Sequence, residues 1–95
     1  MLVDSHCHLD FDVFDEDRDE TIQRARDAGV ATMVTICTHV TRFDRIRAIA
    51  ESDANIWCTV GIHPHQAEEE PVVSVEDLVS RAAHPKVIGI GETGL

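Results

Sequence analysis

Four short apolar runs, at residues 2–8, 30–37, 56–63 and 87–91, are separated by helix-like stretches, and no hairpin signal joins any two of them. Strands spaced in this way cannot pair through tight turns. Each must return through a crossover, which predicts a parallel sheet with covering helices. The second run, from Val30 through Met33 to Cys37, is continuously apolar or β-branched, as a strand buried on both faces reads. Residues 18–28 carry Ile22, Ala25 and Ala28 at spacings of three before Gly29, a helix stop. Residues 41–51 put Phe43, Ile46, Ile49 and Ala50 on one stripe. Ser74 with Asp77 resembles a capping box, and Val75, Leu78, Val79 and Ala82 supply one face of a third helix. Such an alternation closes as an open doubly wound sheet or as a barrel, and periodicity does not choose between them.

Chemistry concentrates where the strands end. His6 and His8 stand two apart at the end of the first run, so alternation sends both side chains to one side, roughly 7 Å apart along the backbone. Two imidazoles there can converge on one cation at about 2.0–2.1 Å if it is zinc. In a parallel barrel the C-terminal strand ends form the active-site face. The competing reading is a pair of satisfied polar histidines at a strand edge. Asp4 shares their parity and could orient a ligand histidine, as carboxylates often do, or it could be an ordinary polar residue at a strand start. Cys7 falls between the two histidines and is expected to point away from them.

His63 and His65 repeat the spacing at the end of the third run, with Pro64 making a rigid turn between them. Metal ligation, phosphate contact and loop structure are all open to them. His39 and His84 have no histidine partner at that spacing and are read as structural. Gly89, Gly91 and Gly94 match a dinucleotide-binding fingerprint, but the glycines begin inside the strand and Glu92 would stand where a pyrophosphate belongs. The better reading turns Ile88, Ile90 and Glu92 inward. Gly89 and Gly91 then face outward, where a helix could approach closely.

The formal net charge of -10, with seven acidic residues between Asp10 and Glu20, leaves no basic stripe for a nucleic-acid backbone. The acidic segment reads first as a solvated face, and second as a surface that attracts cations. Cys7, Cys37 and Cys58 are odd in number, widely spaced and set in apolar runs, so reduced thiols and a cytoplasmic location are expected. No apolar run is long enough to span a bilayer, so no membrane association is expected.

Taken together, Val3-Asp4-Ser5-His6-Cys7-His8-Leu9-Asp10, Gly61-Ile62-His63-Pro64-His65 and Ile90-Gly91-Glu92-Thr93-Gly94-Leu95 resemble the first three motifs of TatD-type metal-dependent deoxyribonucleases, in family order. The first motif is shared with wider hydrolase groups; the other two carry the specificity. The resemblance implies the N-terminal half of a TIM (β/α)8 barrel of the metal-dependent hydrolase type, about four parallel strands with covering helices. It implies a centre of two divalent metal ions (zinc, magnesium or manganese). His6 and His8 would hold one ion, and Glu92 would contact it or bridge both as the catalytic carboxylate. His65 and His63 would sit near the substrate phosphate. Two further histidines and an aspartate would complete the centre beyond Leu95.

Cleavage of DNA phosphodiester bonds is the implied reaction, with DNA or another phosphodiester as partner. Two alternatives stand beside it: an amidohydrolase-like enzyme acting on a C–N bond, and an inactive segment. Residues 86–95 read as a strand running into a loop without its neighbour. The chain is therefore expected to be a partial TIM-barrel domain, residues 1–95, truncated at the C-terminus. A barrel of this type takes about 250 residues. Open sheet edges would then favour self-association.

Overall fold

In the computed structural model, which describes residues 1–93, strand and helix alternate as the periodicity predicts. β1 (Leu2–Cys7), α1 (Arg18–Asp27), β2 (Val30–Thr35), α2 (Phe43–Glu51), β3 (Ile56–Val60), α3 (Val75–Ala82) and β4 (Val87–Ile90) follow in order, with 3-10 turns at Asp12–Phe14, Val40–Arg42 and Pro64–Gln66. The four strands form one parallel sheet in the order β1-β2-β3-β4. Gly94 and Leu95, which end the third motif, lie outside the described residues.

One face of the sheet carries the core. Ile22 of α1 and Phe43, Ile46, Ile49 and Ala50 of α2 pack with Met33, Ile56, Cys58 and Val60 of the strands, and Leu78, Ala82 and Val87 join from the β4 side. All three helices therefore cover the same face, as one arc of a barrel requires. The opposite face is bare at its edges: Val3 on β1 is 64% exposed, and Ile88 and Ile90 on β4 are 58% and 54% exposed.

Local signals explain the helix ends. Gly29 takes φ +100° and closes α1, a left-handed conformation that costs little only for glycine. The Ser74 hydroxyl accepts the Asp77 backbone N–H at 3.0 Å. Asp77 does not complete a capping box; its carboxylate accepts from Arg81 Nε at 3.1 Å instead.

Several expectations change on contact with the fold. Ala28 is exposed beyond the end of α1. Only Leu78 and Ala82 of α3 face the core; Val75 and Val79 stay 73% and 57% exposed. The four residues span two adjacent stripes, and α3 rests on the outermost described strand, where no described residue covers the second. The acidic segment is largely solvated as expected, with Asp12, Asp15, Glu16, Asp19 and Glu20 exposed, but arginines pair with part of it. Arg42 reaches Asp12 at 2.8 Å, Arg18 reaches Asp15 at 2.9 Å, and Arg45 pairs with both aspartates. Those guanidinium groups hold the Asp12 and Asp15 carboxyls below their usual range, chiefly through the hydrogen bonds from Arg42 and Arg18 respectively. Asp10 is buried beneath Arg42, whose Nε lies 3.6 Å from its carboxylate. The α2 region thus straps down the loop that follows His8.

Candidate metal centre

Because the strands are parallel, their C-terminal ends lie together, and four of them deliver chemistry to one place. His6 and His8 come from the end of β1, His39 from beyond β2, His63 and His65 from beyond β3, and Glu92 from beyond β4; all line one cleft of about 330 Å³. The expected cluster is present in space. Glu92 Oε2 stands 3.2 Å from His6 Nε2 and 4.0 Å from His8 Nε2, and Glu92 Oε1 stands 3.3 Å from His63 Nε2.

His6, His8 and Glu92 offer three donor atoms that all lie within 4.8 Å of one another. Ligands spaced tetrahedrally about a zinc ion at about 2.0–2.1 Å would be separated by roughly 3.4 Å, so the donor spacing fits one divalent ion. The protonation pattern fits as well. His8 Nδ1 is 3.3 Å from the Ile36 carbonyl. A carbonyl only accepts, so Nδ1 carries the proton and Nε2 keeps its lone pair toward the cleft. The His8 ring is further fixed by a near-parallel stack on Phe11, 4.7 Å between centroids.

His63 is committed differently. Its Nδ1 accepts the His65 backbone N–H at 3.0 Å. In the neutral ring the proton is then on Nε2, directed at Glu92 Oε1. This geometry makes His63 a donor to Glu92. His65 is exposed, its ring 4.8 Å from that of His63 between centroids, and faces the cleft without a contact to Glu92.

β1 departs from regular alternation. Its register with β2 shifts between Asp4 and Cys7, so Asp4 and His6 do not share a face. Asp4 lines a second cavity with Cys7, His8, Leu9, Ile22 and Ala25, and its carboxylate accepts the His6 backbone N–H at 3.1 Å. It braces the strand end and makes no hydrogen bond to either imidazole. Cys7 turns away from the histidines as expected. Its thiol lies 3.4 Å from the Val34 carbonyl, and burial, with a smaller contribution from the Asp4 charge, pushes it up to about 12.

His84 contacts Glu51 at 3.1 Å and the Lys86 backbone N–H at 3.1 Å, at the other end of the sheet, as a structural histidine would. His39, given the same reading, lines the cleft and lies 2.8 Å from the Thr38 hydroxyl. Its place just past β2, at the same end as the other histidines, was the available signal. Close backbone approach also falls elsewhere than expected. A Cβ on Gly91 would meet nothing within 4 Å and one on Gly89 would make ordinary contact, whereas one on Gly61 would lie 2.9 Å from the Gly91 carbonyl.

Comparison with known proteins adds an independent line. A family model described as TatD related DNase matches residues 3–95. The uncharacterized metal-dependent hydrolase YjjV of Escherichia coli (strain K12) is 36% identical over 99% of this chain and 37% of its own length. The 3'-5' ssDNA/RNA exonuclease TatD of Cronobacter turicensis is 45% identical over 99% of this chain and 36% of its own. The crystal structure of Escherichia coli YjjV, a TatD homolog, superposes with a TM-score of 0.84 at 34% identity, over 96% of this chain and 36% of that one. The chain thus spans a little over a third of the length of these relatives.

Proposed function

The chain belongs to the family of TatD-related DNases, and from that membership we propose that it carries the first part of a divalent-metal centre for hydrolysis of phosphodiester bonds in DNA. The observation that carries this reading is the convergence of the His6, His8 and Glu92 donor atoms from the two opposite edges of the sheet, at one end of its strands. His6 Nε2, His8 Nε2 and a Glu92 oxygen would hold one ion (zinc, magnesium or manganese). A bound ion of this kind polarises a phosphoryl oxygen and makes water nucleophilic near neutral pH.

The protein's own groups do the rest. Ile36 fixes the His8 tautomer, His63 donates a hydrogen bond from its Nε2–H to Glu92, and exposed His65 offers a polar contact to a substrate phosphate. With a net charge of -10, attraction to a polyanion would come from the bound ion rather than from a basic surface. A second ion needs further ligands, because the described residues hold only one three-donor group. Residues 1–95 are accordingly proposed as part of a larger barrel domain. The relative named a 3'-5' ssDNA/RNA exonuclease supports a nucleic-acid substrate over a C–N bond. Three unpaired thiols fit a reducing, cytoplasmic setting, and among the described residues no helix is long and apolar enough to cross a membrane.

Calorimetric titration with zinc or manganese tests the centre. Binding at one site is expected, weakened clearly in the His6→Ala, His8→Ala double variant. Equal binding by that variant would refute the assignment.

A further inference from the structure

Glu92 stands beyond the last strand residue, Ile90, on a peptide that the sheet ladder alone would not fix. The structure shows what holds it. Thr59, on β3, is 9% exposed. Its hydroxyl donates to the Gly91 carbonyl at 2.7 Å and accepts the Cys37 backbone N–H at 3.2 Å. The Glu92 backbone N–H in turn reaches the Cys37 carbonyl at 3.3 Å, and the Gly91 N–H reaches the Val60 carbonyl at 3.0 Å. One hydroxyl therefore links the ends of β2, β3 and β4 at the peptide next to Glu92. Gly61 completes the seat, since its missing side chain lets Gly91 lie against β3. β2 uses the same device one strand earlier, where the buried Thr35 hydroxyl accepts the Leu9 N–H at 3.1 Å, just after His8.

We propose that Thr59 is a positioning residue for the metal centre: its hydroxyl sets where the Glu92 carboxylate stands relative to His6 and His8. The inference rests on the metal reading given above. The physical reason is geometric. A ligand must sit within a few tenths of an ångström of its bonding distance. A carboxylate carried by a peptide fixed at both its carbonyl and its N–H, with the preceding N–H also bonded, meets that demand without reorganising. Removing the hydroxyl leaves the Cys37 N–H and Gly91 carbonyl without their shared partner, and the peptide is then free to drift.

The test measures zinc binding by calorimetry and folding by circular dichroism on the same samples. Thr59→Val is expected to stay folded yet bind zinc about 10- to 100-fold more weakly, the usual loss when an outer partner of a ligand is removed. Thr59→Ser, which restores the hydroxyl, is expected to bind as the unaltered chain does. Ile46→Val, a core change away from the cleft, serves as the control for general destabilisation. Unaltered zinc affinity in folded Thr59→Val overturns the proposal, as does an equal loss in Ile46→Val or a failure of Thr59→Ser to rescue. Should Thr59→Val not fold, Thr59→Cys takes its place, with weakened binding expected and unaltered binding fatal. Failure of the metal reading itself is distinguishable, because the unaltered chain would then bind no zinc at the His6–His8 pair.

Discussion

His63 Nε2 lies 3.3 Å from Glu92 Oε1 while His63 Nδ1 accepts the His65 N–H, so the imidazole bridges its own loop and the carboxylate opposite. Both nitrogens are thereby occupied. His63 is predicted to tune the centre through Glu92 and not to ligate the ion. His63→Ala should lower zinc affinity by about tenfold without changing stoichiometry, and by less than His8→Ala. His63→Gln, whose side-chain amide can still donate, should recover part of the loss. Calorimetric titration of the three variants decides it. A His63→Ala loss as deep as that of His8→Ala would make His63 a direct ligand.

Gly61 and Gly91 look alike in the sequence but differ in space. A methyl on Gly61 would sit 2.9 Å from backbone atoms of Gly91, with no flexible side chain to yield, whereas one on Gly91 would be free. Gly61→Ala should cost about 1–3 kcal/mol, as overpacking typically does, and should also disturb Glu92. Gly91→Ala should be close to neutral in steric terms. Urea unfolding of the pair provides the comparison; equal stabilities would show that the strands part without cost.

The sequence made the β-α alternation and the assembly of His6, His8, His63 and Glu92 at one end legible, because both follow from period, crossover and parallel direction. The remainder depended on irregularities that period does not encode. The register shift between Asp4 and Cys7 moved Asp4 off the histidine face, and strict alternation could not foresee it. Val75 and Val79 share α3 with Leu78 and Ala82, but which stripe is covered depends on what lies beyond β4. Thr35 and Thr59 read only as β-branched strand formers. Their roles as hydroxyl links appear once the neighbouring strand ends are in place. His39 has no histidine two residues away, and its place in the cleft follows from where β2 ends rather than from local spacing.

Burial pushes the Cys7 thiol from 9.0 up to about 12 and the Cys58 thiol from 9.0 up to about 11, with smaller contributions from nearby charge. In the unfolded chain these thiols ionise near 9.0, while the folded chain keeps their protons. Above that pH the unfolded state binds fewer protons, so stability must fall as pH rises. The thiol contribution is fully present below pH 9 and is lost between pH 9 and about 11–12. Urea midpoints should show this fall, and Cys7→Ala should flatten it. The same burial predicts that iodoacetamide modifies Cys7 slowly at pH 8 under native conditions. Alkylation at the rate of a free cysteine would contradict it.

Activity of the 95-residue chain by itself is the remaining prediction, and it combines the centre with the sheet. The described residues supply one three-donor group, enough for a single ion and too few to hold a second firmly. Among them β1 pairs only with β2, and β4 only with β3, so both edges present unpaired backbone groups. Val3, Ile88 and Ile90 add exposed apolar surface beside those edges. Edges of this kind recruit further strands. The chain should therefore self-associate in a concentration-dependent way by light scattering, and Ile88→Lys with Ile90→Lys should reduce that association. Single-stranded DNA with manganese or magnesium should remain essentially uncut by the isolated chain, as with Glu92→Gln. Robust cleavage that Glu92→Gln abolishes would overturn the prediction. If that cleavage rose with the square of protein concentration, it would show that two copies close their edges on each other and complete a working centre between them.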